Sequence, residues 1–267
     1  MSEKPGSAGL PSEGERIAKM LSRAGICSRR DAERAIAEGR VEVDGKQLTT
    51  PAFKVTPQNR VTFDGKPVAG AEETRLWLYH KPTGLVTTHK DPKGRPTVFD
   101  SLPKHLPRVI SVGRLDINSE GLLLLTNDGG FARALELPST GWLRRYRARV
   151  RGKVDPDRLS QLEEGVTVDG VCYGRISARL ERQLKTNAWL TIDLREGKNR
   201  EVRRVLEHLG LEVGRLIRVS YGPFKLGDLE PGDVKQVPRK TLTDQAGGLF
   251  DAGRGPKPKK RTILRAN

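Results

Sequence analysis

Apolar residues Ile17, Met20, Leu21 and Ala24 recur at i, i+3, i+4 and i+7, which predicts a helix. The preceding Ser12-Glu13-Gly14-Glu15 has capping-box form, and Gly25 suits a C-terminal cap. Ser28-Arg29-Arg30-Asp31 repeats the capping pattern, and a second helix carries Ala32, Ala35 and Ile36 inward before stopping at Gly39. The period then drops to two. Val41-Glu42-Val43-Asp44-Gly45-Lys46 and Val61-Thr62-Phe63-Asp64-Gly65-Lys66 each read as a strand running into an Asp-Gly hairpin turn. Residues 15–68 thus form a small helix-helix-hairpin module, behind a loose polar arm (1–14) and ahead of a linker (69–75).

From 76 to 240 the pattern is α+β. Short β-type runs at 75–80, 122–126, 146–151 and 188–194 alternate with loops, with helices expected near 156–164 and 199–209 and a mostly antiparallel sheet. After Pro238 periodicity is lost, and 241–267 reads as a basic disordered tail ending in the Pro/Gly-interrupted run 253–261.

Charge changes the picture more than composition does. The 267 residues hold 49 Lys plus Arg against 33 Asp plus Glu, a net charge of +16, which points to an anionic polymer, nucleic acid first. Anionic lipid is the weaker partner, because no basic amphipathic helix with large apolar side chains is present. No apolar run approaches the roughly 18 residues of a membrane span, and the polar start is not a signal peptide. Cys27 and Cys172 stand isolated, which favours a reducing cytoplasm.

Familiar chemistry signatures are missing: no P-loop, no Cys-x-x-Cys, no His-Glu-x-x-His, no dinucleotide glycine fingerprint, and no metal-ligand spacing among the four histidines. Two segments stand out. Ser111–Gly121, dense in Gly, Arg, Asp, Asn and Glu, runs directly into the four leucines 122–125. On local chemistry alone, a turn whose Asp bonds its own backbone is the better-supported reading. The second is Glu196–Leu209. If Val202, Val205, Leu206 and Leu209 face inward, Arg203 lies about 110° from the centre of that face and Arg204 about 150°. Arg203 then flanks a site at the helix edge, and Arg204 points to solvent or RNA. In the first module Arg16, Lys19 and Arg23 share a helix face, while Arg29, Arg30 and Arg34 crowd a helix N-terminus, where positive charge opposes the dipole and an anion would relieve it. A DNA-reading helix-turn-helix is the alternative there, disfavoured by the short second helix.

These residues carry a resemblance. Residues 15–55 resemble the S4 RNA-binding domain. Lys81-Pro82-Thr83-Gly84, Gly113-Arg114-Leu115-Asp116 with Ser119–Gly129, Tyr146 within 144–150, and 196–210 with Gly222–Gly227 resemble the RsuA/RluB family of rRNA pseudouridine synthases, closest to the RluB subgroup. The resemblance implies isomerisation of uridine to pseudouridine with no cofactor or metal. Its implied partner is ribosomal RNA, a 23S stem-loop or precursor particle, bound by a cytoplasmic monomer. It implies Asp116 as the catalytic carboxylate, acting as nucleophile or base, Arg203 as its ion-pair partner, and Tyr146 stacking on the target base. Arg114 would fill the space of the extruded base, Lys81 and Pro82 would shape the pocket wall, and Arg204 would contact RNA. The alternatives are 16S rRNA as substrate, a non-catalytic RNA-binding or ribosome-assembly factor, and a retaining glycosidase using Asp116 and Glu120.

Overall fold

The computed structural model describes residues 14–70 and 72–251. The chain divides into two units between Glu73 and Thr74.

In the first unit, helix Ile17–Arg23 and helix Arg29–Ala37 bury Ile17, Leu21, Ala32 and Ile36 together with Val41, Val55 and Val61. The Ser28 cap forms as the sequence indicates: its hydroxyl accepts from the Asp31 amide at 3.1 Å and donates to the Asp31 carboxylate at 2.6 Å. The first helix begins later than its capping pattern suggests. Glu15–Arg16 is extended and pairs with Lys54–Val55, so Arg16 is the N-cap residue rather than part of the helical face. Ser12 and Glu13 lie outside the described residues. Val41–Val43 pairs with Lys46–Gln47 and with Val61–Phe63, and both Asp-Gly turns adopt the positive φ that two-residue hairpins need.

Among the described residues the second unit is built on a nine-stranded sheet. Its main path runs Ile176–Gln183, Asn187–Leu194, Arg144–Arg151, Glu212–Tyr221, Glu120–Thr126, Leu76–Lys81, Val234–Gln236. All neighbours are antiparallel except Glu212–Tyr221 beside Glu120–Thr126, which run parallel through Ile217↔Glu120 and Arg218↔Gly121. That junction requires glycine. Gly121 has φ +103°, and a Cβ there would collide with the Arg218 carbonyl oxygen.

The leucine run occupies the middle of this sheet, and its alternation feeds two cores. Leu123 and Leu125 join Trp77, Tyr79, Tyr146, Ala148 and Leu190 on one face. Leu122 and Leu124 join Leu76, Phe131, Leu135 and Leu242 on the other. Burial on both faces explains an unbroken apolar run instead of an apolar–polar alternation. The second core is covered by helix Gly129–Glu136, capped by Asp128, and by helix Arg239–Asp251. This last helix corrects the expectation of disorder beyond 240. Leu242, Ala246 and Leu249 at i, i+4, i+7 pack on the second core, and Arg239 donates to the Thr74 carbonyl at 3.0 Å. Residues 252–267, with the basic run, lie outside the described residues, as does the arm 1–13.

The helix expected at 156–164 is a short α-helix, Pro156–Ser160, continued by a 3₁₀ turn through Glu164. Strand Ile176–Gln183 escapes the pattern because it is an edge strand whose outer half is exposed.

Candidate active site

The loop Leu115–Ser119 precedes the central strand, and its backbone is held from outside, residue by residue. The Leu115 carbonyl accepts from the Thr87 hydroxyl at 2.8 Å. The Asp116 carbonyl accepts from Lys81 Nζ at 3.1 Å, and that of Ile117 from the Gly84 amide at 2.8 Å. The Asn118 carbonyl accepts from Arg203 Nη2 at 2.7 Å, and that of Ser119 from Lys81 Nζ at 2.9 Å. Donors from 81–87 on one side and from helix Glu201–His208 on the other thus occupy five consecutive carbonyls. Buried backbone acceptors need such partners, and here they fix a loop that would otherwise be a flexible turn.

The Asp116 side chain is not part of this cage. Its carboxylate is 31% exposed and faces a cleft of about 1130 Å³. Tyr146, Arg114, Arg200, Arg218, His89 and Phe99 are among the lining residues. Tyr146 sits on strand Arg144–Arg151, inward at a period-two position between Arg145 and Arg147. His89 stacks on Phe99 with centroids 3.5 Å apart.

Most cleft cations are tied to the protein. Arg144 donates to the Arg195 carbonyl at 2.6 Å and to the Tyr221 hydroxyl at 2.9 Å, and Arg218 to the Leu122 carbonyl at 2.7 Å. Lys198 pairs with Glu196 at 2.7 Å. Arg114 is exposed, and among the described residues no ion pair or hydrogen bond engages its guanidinium. Arg200 Nη1 stands 3.9 Å from Asp116 Oδ2. Arg200 is the N-cap of the following helix and adopts the left-handed conformation, φ +51° and ψ +29°, at a cost of roughly 1–2 kcal/mol for a side chain of this kind.

Glu201 forms the floor beneath it. It is 3% exposed, its carboxylate accepts from the Lys198 amide at 2.8 Å, and Oε1 has no partner among the described residues. Burial pushes this carboxyl up to about 7, against the pull of the Lys198 amide and with the charge of Glu196 adding to the rise. An acid whose pKa is higher folded than unfolded takes up a proton on folding. Stability should therefore fall as pH rises from the ordinary value of 4.5 to about 7, and level off above that. Melting temperatures between about pH 5 and pH 7.5 should show this slope in the parent and a flatter one in Glu201→Gln; identical slopes would mean the carboxyl is ionised throughout.

A family model described as RNA pseudouridylate synthase matches residues 75–208, and one described as S4 domain matches residues 15–68. A Rickettsia felis protein named uncharacterized RNA pseudouridine synthase is 50% identical over 228 residues, covering 85% of this chain and 99% of its own. A Yersinia pestis protein named ribosomal large subunit pseudouridine synthase B is 43% identical over 219 residues, covering 80% of this chain and 69% of its own. The chain belongs to the RsuA/RluB family of RNA pseudouridine synthases. A solved pseudouridylate synthase structure, with TM-score 0.60 and 23% identity over 86% of this chain and 99% of its own, has the same fold.

Against the family pattern, the structure brings Asp116, Tyr146 and Arg114 together in one cleft. It moves other expected residues. Lys81 is no part of a pocket wall: it is fully buried beneath the Asp116 loop, where Nζ donates to the carbonyls of Pro82, Asp116 and Ser119. Burial pulls its ammonium down to about 8, opposed by the charges of Asp116 and Glu120. Pro82 is half-buried beside it and outside the cleft lining. Arg203 is not the ion-pair partner of Asp116. It is buried, spends its guanidinium on the Val213 and Asn118 carbonyls at 3.0 and 2.7 Å, and leaves the contact with Asp116 to Arg200. Arg204, one position on, is half-buried, and neither it nor Arg203 lines the cleft; Arg203 turns into the protein instead of flanking the cleft at the helix edge. Glu120 pairs with Arg215 and does not line the cleft, which removes the paired-carboxylate arrangement of a glycosidase.

The synthase's first unit divides its cations into two sets. Lys19 and Arg23 both pair with Glu15, at 2.9 and 3.2 Å, and Arg34 pairs with Asp31 at 2.5 Å. Arg16, Arg29 and Arg30 are exposed and enter no ion pair among the described residues. Two cleft residues, Arg200 and Arg218, escape sequence reasoning. Arg200 stands in the same run as Arg203, one residue ahead of the helix, and that placement is its only signal.

Proposed function

We propose that this enzyme converts a uridine in large-subunit (23S) ribosomal RNA to pseudouridine in a bacterial cytoplasm, with Asp116 as the group that acts on the ribose. The observation that carries the reading is the Asp116 carboxylate itself: the loop that bears it is clamped on five carbonyls, while its side chain, touched among the described residues only by Arg200 at 3.9 Å, faces a basic cleft that Tyr146 also lines. Such a group is pre-positioned without being consumed by structural bonds.

The reaction is an isomerisation. The N1–C1′ bond breaks, the uracil turns, a C5–C1′ bond forms, C5 loses its proton and N1 gains one. Asp116 acts at C1′ as nucleophile, or at the 2′ position as base. Tyr146, with its ring on the cleft wall, stacks on the uracil and helps remove the C5 proton. A uridine in a stem-loop must first leave its stack, at a cost of a few kcal/mol. The exposed Arg114 is suited to filling the space it leaves. The large-subunit assignment is supported by the name of the Yersinia pestis relative.

Release of tritium from 5-tritiated uridine in 23S and 16S transcripts tests this. Release from 23S RNA alone is expected. Release from 16S RNA alone would move the substrate to the small subunit, and none from either would favour an RNA-binding assembly factor.

The first unit serves as the RNA anchor through its unpaired cations. Replacing Arg16, Arg29 and Arg30 together by alanine should weaken rRNA binding and lower the slope of log affinity against log salt by about 0.7–0.9 for each phosphate no longer neutralised. An unchanged slope in filter binding would place the anchor elsewhere.

A further inference from the structure

Four residues other than glycine have positive φ among the described residues. Three are Asp44, Asp64 and Asp169, each followed by glycine in a hairpin turn, where a short polar side chain tolerates that conformation. The fourth is Arg200, which has no such excuse. The chain around it is locked: the Lys198 amide donates to the Glu201 carboxylate, and the Glu201 amide donates back to the Lys198 carbonyl at 3.2 Å. This lock turns the Arg200 side chain into the cleft. It also brings like charge near Arg203, whose guanidinium is pulled down by burial and by Arg200. A strained backbone and a repulsive neighbour are both unfavourable to the empty protein, and strain of this kind gathers at functional positions.

What Arg200 gains in return, within the protein, is slight. Its contact with Asp116 is 3.9 Å, beyond hydrogen-bonding distance, between groups 40% and 31% exposed. Such a pair is easily exchanged. A planar guanidinium free to reorient in a cleft that receives a nucleotide is matched to a phosphodiester, which it can grip through two parallel bonds. Asp116, for its part, must be released before it can reach the ribose.

We infer that Arg200 is a phosphate-binding residue that holds Asp116 while the cleft is empty and exchanges it for the backbone phosphate next to the target uridine. The inference rests on the proposed activity, since it needs RNA in the cleft. Seating the phosphate and freeing the carboxylate then become one event, so the reactive group is delivered only when a nucleotide is in place. The neutral uracil would gain nothing comparable from Arg200.

The test compares the parent with Arg200→Gly and Arg200→Lys, by thermal melting and by tritium release from a 5-tritiated stem-loop of the modified site. Arg200→Gly relieves the backbone strain, so its Tm should rise by about 2 °C or more. Its kcat/KM should fall about tenfold to a hundredfold. Arg200→Lys keeps charge and strain; its Tm should stay at the parent value and its activity should lie between the two. A structural role would lower Tm and activity together. In a second arm, the two phosphates flanking the uridine are replaced one at a time by neutral methylphosphonate. At one of them the parent should drop to the level of Arg200→Gly, and Arg200→Gly should lose nothing further. Independent losses at both linkages, or a lowered Tm in Arg200→Gly, would overturn the exchange while leaving the activity standing. An absence of tritium release from the parent would overturn both.

Discussion

Asp116→Ala should release no measurable tritium from 5-tritiated rRNA and still bind that RNA nearly as the parent does. The two halves of this result have separate causes. The loop around Asp116 is held through its carbonyls, by Thr87, Lys81, Gly84 and Arg203, and none of those bonds involves the Asp116 side chain. Truncating the side chain should therefore leave the loop, the cleft and the fold in place. Affinity for RNA comes mainly from phosphate contacts, which lie with the basic residues. What disappears is the group proposed to perform the chemistry, and a loss of at least about 10³-fold is expected for a nucleophile or general base. Turnover within tenfold of the parent would remove Asp116 from the mechanism. Loss of binding in step with turnover would mean that the carboxylate organises the cleft instead of acting in it.

Arg203→Ala should be the most damaging substitution away from the reacting groups, and for a different reason. Arg203 is buried, and its guanidinium donates to both the Asn118 and the Val213 carbonyls. Removing it strands the buried Val213 carbonyl and the part-buried Asn118 carbonyl, a loss of about 2–4 kcal/mol of stability. It also frees the C-terminal end of the Asp116 loop. A displacement of the carboxylate by about 1 Å is enough to cost about 10²-fold in rate. Arg204→Ala, in which a half-buried arginine outside the cleft lining is truncated, should cost no more than a few-fold in rate and about 0.5 kcal/mol in stability. Urea unfolding and tritium release on the pair separate the readings. Equal rates for the two variants would contradict the cage, and a slow but fully stable Arg203→Ala would return Arg203 to direct contact with Asp116.

The parts of this architecture that follow from local period and turn chemistry are legible in the sequence. Asp44-Gly45 and Asp64-Gly65 form the hairpin turns their residues demand, Ser28 caps its helix, and the four leucines form a central strand. The helix Glu201–His208 buries Val202, Val205 and Leu206 as its spacing indicates, but it also buries Glu201 and Arg203, which the spacing does not, and leaves Leu209 half-buried. The edge strand Ile176–Gln183 and the helix Arg239–Asp251 escape the pattern because each buries only a thin line of apolar residues, so periodicity has little to report. Within the site, residue types point to the loop and the helix that meet there but not to the contacts their side chains make. A lysine next to a proline and a buried arginine look like binding groups in one dimension. Only the fold reveals that both are spent on carbonyls more than thirty residues away, Lys81 on Asp116 and Arg203 on Asn118. Arg200 is hidden for the converse reason: its importance lies in a backbone angle, and an arginine carries no sequence signal for a left-handed conformation.

The donors that clamp the Asp116 loop come from both directions along the polypeptide, Lys81 and Gly84 before it and Arg203 well after it. The strand carrying the loop finds its parallel neighbour only at Ile217 and Arg218. A nascent chain that has passed Asp116 and Tyr146 through the ribosome therefore holds the reactive side chains without the frame that aligns them. The frame around Asp116 is complete only once Arg218, about a hundred residues further along the chain, has emerged.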